Sequence, residues 1–158
     1  MKVQYIKTSD AIKGYQDSVI AKSETNDCVV RAFASAFEIG YDDAHNFIAE
    51  KFKRQPRKGT FGFGYGMNLI SKNDVKFNGK GVEIITHEYG SMLYYVMVKG
   101  HKTLRSTTTN SFIKMYPTGT YIVIVKGHAF TIKNGCVIGN LSDAKQIRKH
   151  IISAWKIG

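Results

Sequence analysis

Thr25-Asn26-Asp27-Cys28-Val29-Val30-Arg31-Ala32-Phe33-Ala34-Ser35-Ala36-Phe37 is the stretch on which the fold turns. Capping side chains stand ahead of a run that is apolar on nearly every side, which predicts a buried helix starting at Cys28. A thiol at the start of a helix lies near its positive end and near backbone N–H groups that have no partner within the helix. Both favour the thiolate, the form in which a cysteine attacks. Against this stands the plain alternative that Cys28, flanked by Val and Ala, is core.

C-terminal to this helix, Gly40 supplies a stop and Tyr41-Asp42 a restart. Ala44, Phe47, Ile48 and Phe52 then form one apolar stripe of a second helix, with Pro56 as its end mark. Lys58-Gly59-Thr60-Phe61-Gly62-Phe63-Gly64-Tyr65-Gly66 alternates glycine with aromatic residues and reads as a loop. Phe61, Phe63 and Tyr65 are candidates for a substrate groove wall, or for pins holding the loop to the body. The glycine spacing is not that of a dinucleotide cradle, and no apolar strand precedes it.

The remainder reads as sheet. Val82–Ile85, Leu93–Val98, Tyr121–Val125, His128–Ile132 and Val137-Ile138 are short and rich in β-branched or aromatic residues. Residues 100–109 are polar and read as a loop, and 110–116 as a short helix ending at Pro117. Lys126-Gly127 is a tight connection, Asn134-Gly135 is a hairpin signal, and Ser142-Asp143 can cap a basic helix reaching His150. Residues 151–157 can close the sheet, and the first 20 residues hold one short strand. The expected class is α+β, with N-terminal helices packed on an antiparallel sheet, in a single domain spanning 1–158.

In this arrangement His128 opens one strand of a hairpin and Asn140 follows the next, so both lie at one end of the sheet. A histidine beside Cys28 would take and return the proton, and a third polar group would fix the ring's orientation. Asn140 is the first candidate for that third group and Asp143 its rival. Cys136 sits mid-hairpin and reads as core. His45, His87, His101 and His150 pair at no ligand spacing with cysteine or with one another, so neither a metal nor another cofactor is expected.

Residues 25–32, together with the Gly119–Gly135 hairpin and Asn140, resemble small papain-like cysteine-peptidase-fold proteins common in tailed bacteriophages. The chain order Cys, His, Asn is also that of papain. The resemblance implies a nucleophile at Cys28, a general base at His128 and an orienting Asn140, acting on a protein or peptide through a covalent thioester. It departs at one place. The superfamily usually keeps a Gln shortly before the cysteine as an oxyanion-hole donor, and Lys22 stands there. Asn26 is the substitute candidate, with an N-cap role as its alternative. The second reading is an inactive scaffold of the same fold that binds an acidic host or defence factor.

Lys and Arg number 23 against 12 Asp and Glu, a formal charge of +11 that creates a positive surface field. Nucleic acid is a further candidate partner, through Lys51 to Tyr65, where cations adjoin stackable rings. It is not favoured over a solvated helix end. No stretch approaches the ~20 apolar residues of a membrane span, and the N-terminus lacks the apolar region of a secretory signal. Two unpatterned cysteines imply reduced thiols. A cytoplasmic protein, in host cytoplasm if phage-encoded, is the expectation.

Overall fold

The computed structural model of the chain describes residues 2–86 and 92–158. His87 lies outside them. A six-stranded sheet runs in the order β1 (Tyr5–Lys7), β7 (Cys136–Gly139), β6 (His128–Lys133), β5 (Thr120–Val125), β8 (Ser153–Ile157), β2 (Val82–Ile85). Every pairing is antiparallel except that of β1 with β7. The fold is thus mixed α and β, with a mostly antiparallel sheet.

The side chains of the central strands alternate between two cores. Ile122, Ala129, Trp155 and Ile157 face the N-terminal helices. Tyr121, Val123, Phe130 and Val137 face the opposite way, toward Phe112 of α6 (Thr109–Met115). On the first face lies α3 (Cys28–Phe37), packed on β6 and on α4 (Tyr41–Lys51). Its apolar character all round follows from burial on both sides; Val30, Phe33 and Phe37 are fully buried.

Two hydroxyls tie α3 to β6. Thr131 Oγ1 donates to the Ala32 carbonyl at 2.8 Å, and Ser35 Oγ lies 2.8 Å from Thr131 Oγ1. Bonds between buried groups of this kind fix the offset of helix and strand, and hence the height of Cys28 relative to His128.

Several boundaries differ from the sequence reading. α3 ends on Glu38 in the left-handed region (φ 56°), two residues before Gly40, which instead precedes α4. α4 stops at Lys51, five residues ahead of Pro56. The N-terminal strand is present, and two short helices follow it, α1 (Thr8–Ala11) and α2 (Val19–Ser23). The glycine/aromatic segment is not all loop, since α5 (Phe63–Lys72) begins inside it. Its glycines serve packing: Trp155 lies against Gly64, and any side chain at Gly66 would overlap the ring of Phe52.

The expected loop at 100–109 contains β4 (His101–Ser106), which pairs with β3 (Leu93–Val98) as a separate two-stranded sheet. Lys99 and Gly100 both have positive φ, and they join the two strands as a two-residue hairpin turn. The basic helix expected to reach His150 ends at Lys145 as α7 (Leu141–Lys145).

Candidate active site

Cys28 is the first residue of α3, after Asn26 in the left-handed region (φ 52°) and Asp27. Asp27 does not cap the helix with its side chain. Its carboxylate, almost wholly buried, accepts from Tyr41 Oη at 2.7 Å and pairs with Arg31 Nε at 3.2 Å. The helix start is therefore held rigidly without Asp27 occupying its first-turn N–H groups. Burial, with Asp27 beside it, pushes the Tyr41 phenol well up, which keeps the hydroxyl a donor.

His128 is the first residue of β6, directly after Gly127, whose positive φ closes the turn from β5. Its Nε2 lies 3.0 Å from Asp143 Oδ2, and the Asp143 side chain is almost completely buried. Asp143 belongs to α7, whose first turn follows β7 directly. The same Oδ2 accepts the backbone N–H of Asn140 at 2.7 Å, and the Asp143 N–H donates to the Asn140 carbonyl at 2.9 Å. This reciprocal pair locks the carboxylate in place. Gly139 makes room for it, because a Cβ there would stand 2.5 Å from Asp143 Oδ2 and 3.0 Å from Phe130 Cβ.

With Nε2 turned to Asp143, Nδ1 is the ring nitrogen left for the sulfur, and Cys28 and His128 are close enough for each to shift the other's pKa. Burial by itself raises the thiol. The hydrogen bond to His128, a backbone hydrogen bond from Ala129 and the charges of His128 and Arg31 outweigh it and bring the Cys28 pKa below its ordinary value. His128 moves the other way, to about 9. The Asp143 hydrogen bond is the main cause and the Cys28 bond the second, and together they exceed the opposing effect of burial. Near neutral pH the His128 ring is thus cationic, held by Asp143, and the thiol beside it gives up its proton more readily than an ordinary one. The dyad is reachable, since the His128 side chain keeps 20% of its surface exposed. Such a set can attack an electrophilic carbonyl and hand a proton to a leaving group.

The structure brings Cys28 and His128 together, but it places Asp143 at the ring where Asn140 was the first candidate. The Asn140 amide oxygen accepts instead from Arg31 Nη1 at 3.0 Å. Arg31 also pairs with Asp27 and lies 3.4 Å from Thr8 Oγ1, so it braces the start of α3 against the start of α7. Nothing in the sequence singled Arg31 out; its only signal is its place one turn after the cysteine.

The substitute oxyanion donor is also engaged elsewhere: Asn26 Nδ2 donates to the Arg57 carbonyl at 3.1 Å. Lys22, at the position of the usual Gln, is exposed on α2. Of the groove-wall candidates, Phe63 is core, packed on Phe52 and Trp155. Phe61 and Tyr65 are exposed at 89% and 73%. They border an open cavity of about 530 Å³ that also includes Phe47, Leu69 and Phe77 and does not include Cys28.

Within the basic run Lys51–Lys58, Arg54 is not a surface cation. Its Nη1 lies 2.5 Å from Glu24 Oε2 with both side chains buried, and its Nη2 donates to the Thr25 carbonyl. Together with the bond from Arg57 N–H to Glu24 Oε1, this clasps the segment after α4 onto the loop that leads to Cys28. Cys136 is half-buried, and burial raises its thiol. Among the described residues no three His, Cys, Asp or Glu side chains group as metal ligands, and no helix is long and apolar enough to cross a membrane.

The chain matches no protein-family model, no curated protein and no solved structure.

Proposed function

We propose that this protein is a papain-like thiol hydrolase in which Cys28 is the nucleophile, His128 the acid–base and Asp143 the orienting group. The observation that carries the reading is the buried Asp143 carboxylate 3.0 Å from Nε2 of His128 with Cys28 beside the same ring, the thiol lowered and the imidazole raised to about 9. A cysteine with burial alone acting on it shows the opposite sign of shift, as the half-buried Cys136 does.

The Cys28 thiolate attacks an acyl carbon, and the carbonyl π-electrons move to oxygen beside the Cys28 N–H at the start of α3. The imidazolium of His128 protonates the departing amine as the C–N bond breaks, leaving a thioester on the sulfur. Water, deprotonated by His128, then attacks that carbon and releases the acid and the thiolate. Amides of peptide or isopeptide type are the substrate class, and Asp143 stays ionised throughout, stabilising the cationic ring.

A second reading has its own observation. Asn26, the candidate side-chain donor for the oxyanion, is committed to Arg57, which suits a scaffold of the same fold kept for binding. Intact-mass measurement with a small activated acyl ester separates the two. The hydrolase forms an acyl adduct confined to Cys28 that decays with turnover and is lost in Cys28→Ala. An adduct that forms and never decays supports the binding scaffold, and an adduct formed equally by His128→Ala contradicts the proposed catalytic pair.

A further inference from the structure

The charge of the chain is unevenly placed. From Met92 to Gly158 there are ten Lys and Arg, and the single carboxylate side chain is Asp143, buried beneath His128. The surface built by this half therefore has almost no anionic counterweight of its own. The N-terminal part, with 13 Lys and Arg against 11 Asp and Glu, is close to balanced.

Within this basic half, β3 and β4 form a ribbon of their own. Register places Leu93, Tyr95, Met97, Lys102 and Leu104 on one face, and Arg105 and His101 beside Tyr94 and Val98 on the other. Exposed side chains occur on both faces, Met97, Lys102 and Leu104 on the first and His101 and Arg105 on the second, so β4 and the turn present cations to solvent while β3 is mostly half-buried. Lys102 Nζ sits 4.2 Å over the Tyr95 ring. At its base, the Thr107 N–H donates to the Met92 carbonyl, and Met92 is rooted in the second core.

The base of the ribbon adjoins a second basic segment. Ile151 N–H donates to the Thr107 carbonyl, Thr109 N–H to the Lys149 carbonyl, and Thr108 bridges to His150. Lys145, Arg148 and Lys149 line a shallow concavity there of about 450 Å³. Ribbon and segment, joined at Thr107–Thr109, thus form a tract that carries cations at both ends.

We propose that this tract is a binding surface for double-stranded DNA, with the β3–β4 ribbon entering the major groove, Lys99, Lys102 and Arg105 reaching the phosphates along its edges, and Arg148 and Lys149 resting on the flanking phosphates. The fit is one of shape and charge. The major groove of B-form DNA, about 12 Å wide, admits a two-stranded ribbon, whereas the deep, narrow major groove of A-form RNA does not. Six residues per strand reach roughly 20 Å at about 3.3 Å per residue, ample for a groove about 8.5 Å deep. This surface goes beyond the thiol chemistry and does not depend on it.

The test is fluorescence anisotropy of a labelled 20-base-pair duplex with the full chain, titrated between 50 and 200 mM salt. The triple variant Lys99→Glu, Lys102→Glu, Arg105→Glu is compared with a control of equal charge change, Lys51→Glu, Lys53→Glu, Lys58→Glu. Wild type should bind with a steep salt dependence. The ribbon variant should lose roughly tenfold or more in affinity and about 2 to 3 units of log–log salt slope, since each lost phosphate contact removes about 0.9. The control should stay within about twofold of wild type, as expected if phosphate contacts rather than net charge carry the affinity. Far-UV circular dichroism and a thermal midpoint unchanged from wild type in both variants show that they are folded. Three results overturn the proposal: no binding at 50 mM salt, equal loss in the two variants, or displacement of the duplex by polyglutamate at matched charge, which would mark the tract as a site for acidic polypeptides.

Discussion

Nε2 of His128 and Oδ2 of Asp143 stand 3.0 Å apart, although the two residues lie on different elements and the carboxylate side chain is almost fully buried. The contact exists because β7 ends at Gly139 and the chain turns at once into α7, which returns the third residue of that helix over the first residue of β6. This contact is the main cause of the raised imidazole pKa of His128, and His128 in turn is the strongest influence lowering the Cys28 thiol.

Asp143→Asn therefore removes more than Asn140→Ala does. The first variant loses the main cause of the raised imidazole pKa, so the fraction of Cys28 present as thiolate at neutral pH should fall, with about tenfold in that balance for each unit of pKa lost. Asn140→Ala keeps the backbone N–H that binds Asp143 and loses only the contact with Arg31, so its effect should be a few-fold. Second-order rates of thiol alkylation at pH 7 check this. Equal losses in the two variants would restore Asn140 as the orienting group.

Gly139→Ala acts on the same carboxylate without touching any reacting group. Its methyl meets Asp143 Oδ2 at 2.5 Å and Phe130 Cβ at 3.0 Å, so Asp143 must shift away from the ring. Overpacking of this kind costs about 1–3 kcal/mol. The expected outcome is a lower thermal midpoint together with an imidazole pKa, followed by NMR, that moves down from about 9 toward the ordinary histidine value. An unmoved titration would show that the site tolerates the methyl.

The parts of the site that follow from local rules were legible in the sequence, and those that depend on tertiary reach were not. An Asn-Gly turn and a Gly-His strand start place His128 at the end of its strand, because hairpin registers are set by near neighbours, whereas the helix start at Cys28 was read from capping residues that turn instead to Arg57, Tyr41 and Arg31. The choice between Asn140 and Asp143 turns on one helical turn of α7, which no pattern distinguishes in advance. The glycine/aromatic run misled because glycine has two uses. At Gly64 and Gly66 it admits rings of Trp155 and Phe52 against a helix rather than breaking it. Arg54 looked like surface charge because its partner, Glu24, lies thirty residues away in sequence. β4 was missed because its own residues are polar and almost all exposed, so no hydrophobic alternation marks it as a strand.

The Glu24–Arg54 pair should be a structural necessity. Arg54→Ala leaves Glu24 buried without its cation and frees the segment that Arg57 and Asn26 tie down, at a cost of about 3–5 kcal/mol. Chemical denaturation measures it. A loss under about 1 kcal/mol, the range of exposed pairs, would mean that the pair is not desolvated in solution.

The raised pKa of His128 also fixes a direction for stability. A group whose folded pKa is raised binds its proton more tightly in the native state, so its contribution is complete below the unfolded value of about 6.5 and is lost as pH climbs through about 9. Wild type should thus exceed Asp143→Asn in stability by a margin that shrinks between pH 7 and pH 10. A margin that widens over that range would reverse the assigned sign.

The most direct measurement of the central claim is the pH profile of Cys28 alkylation by iodoacetamide, read by peptide mass spectrometry in wild type and in His128→Ala. The account predicts selective labelling of Cys28 over Cys136, with an inflection below the free-thiol value of about 8.5 that moves upward when the imidazole is removed. Labelling that waits for unfolding, or an inflection unchanged in His128→Ala, would contradict it.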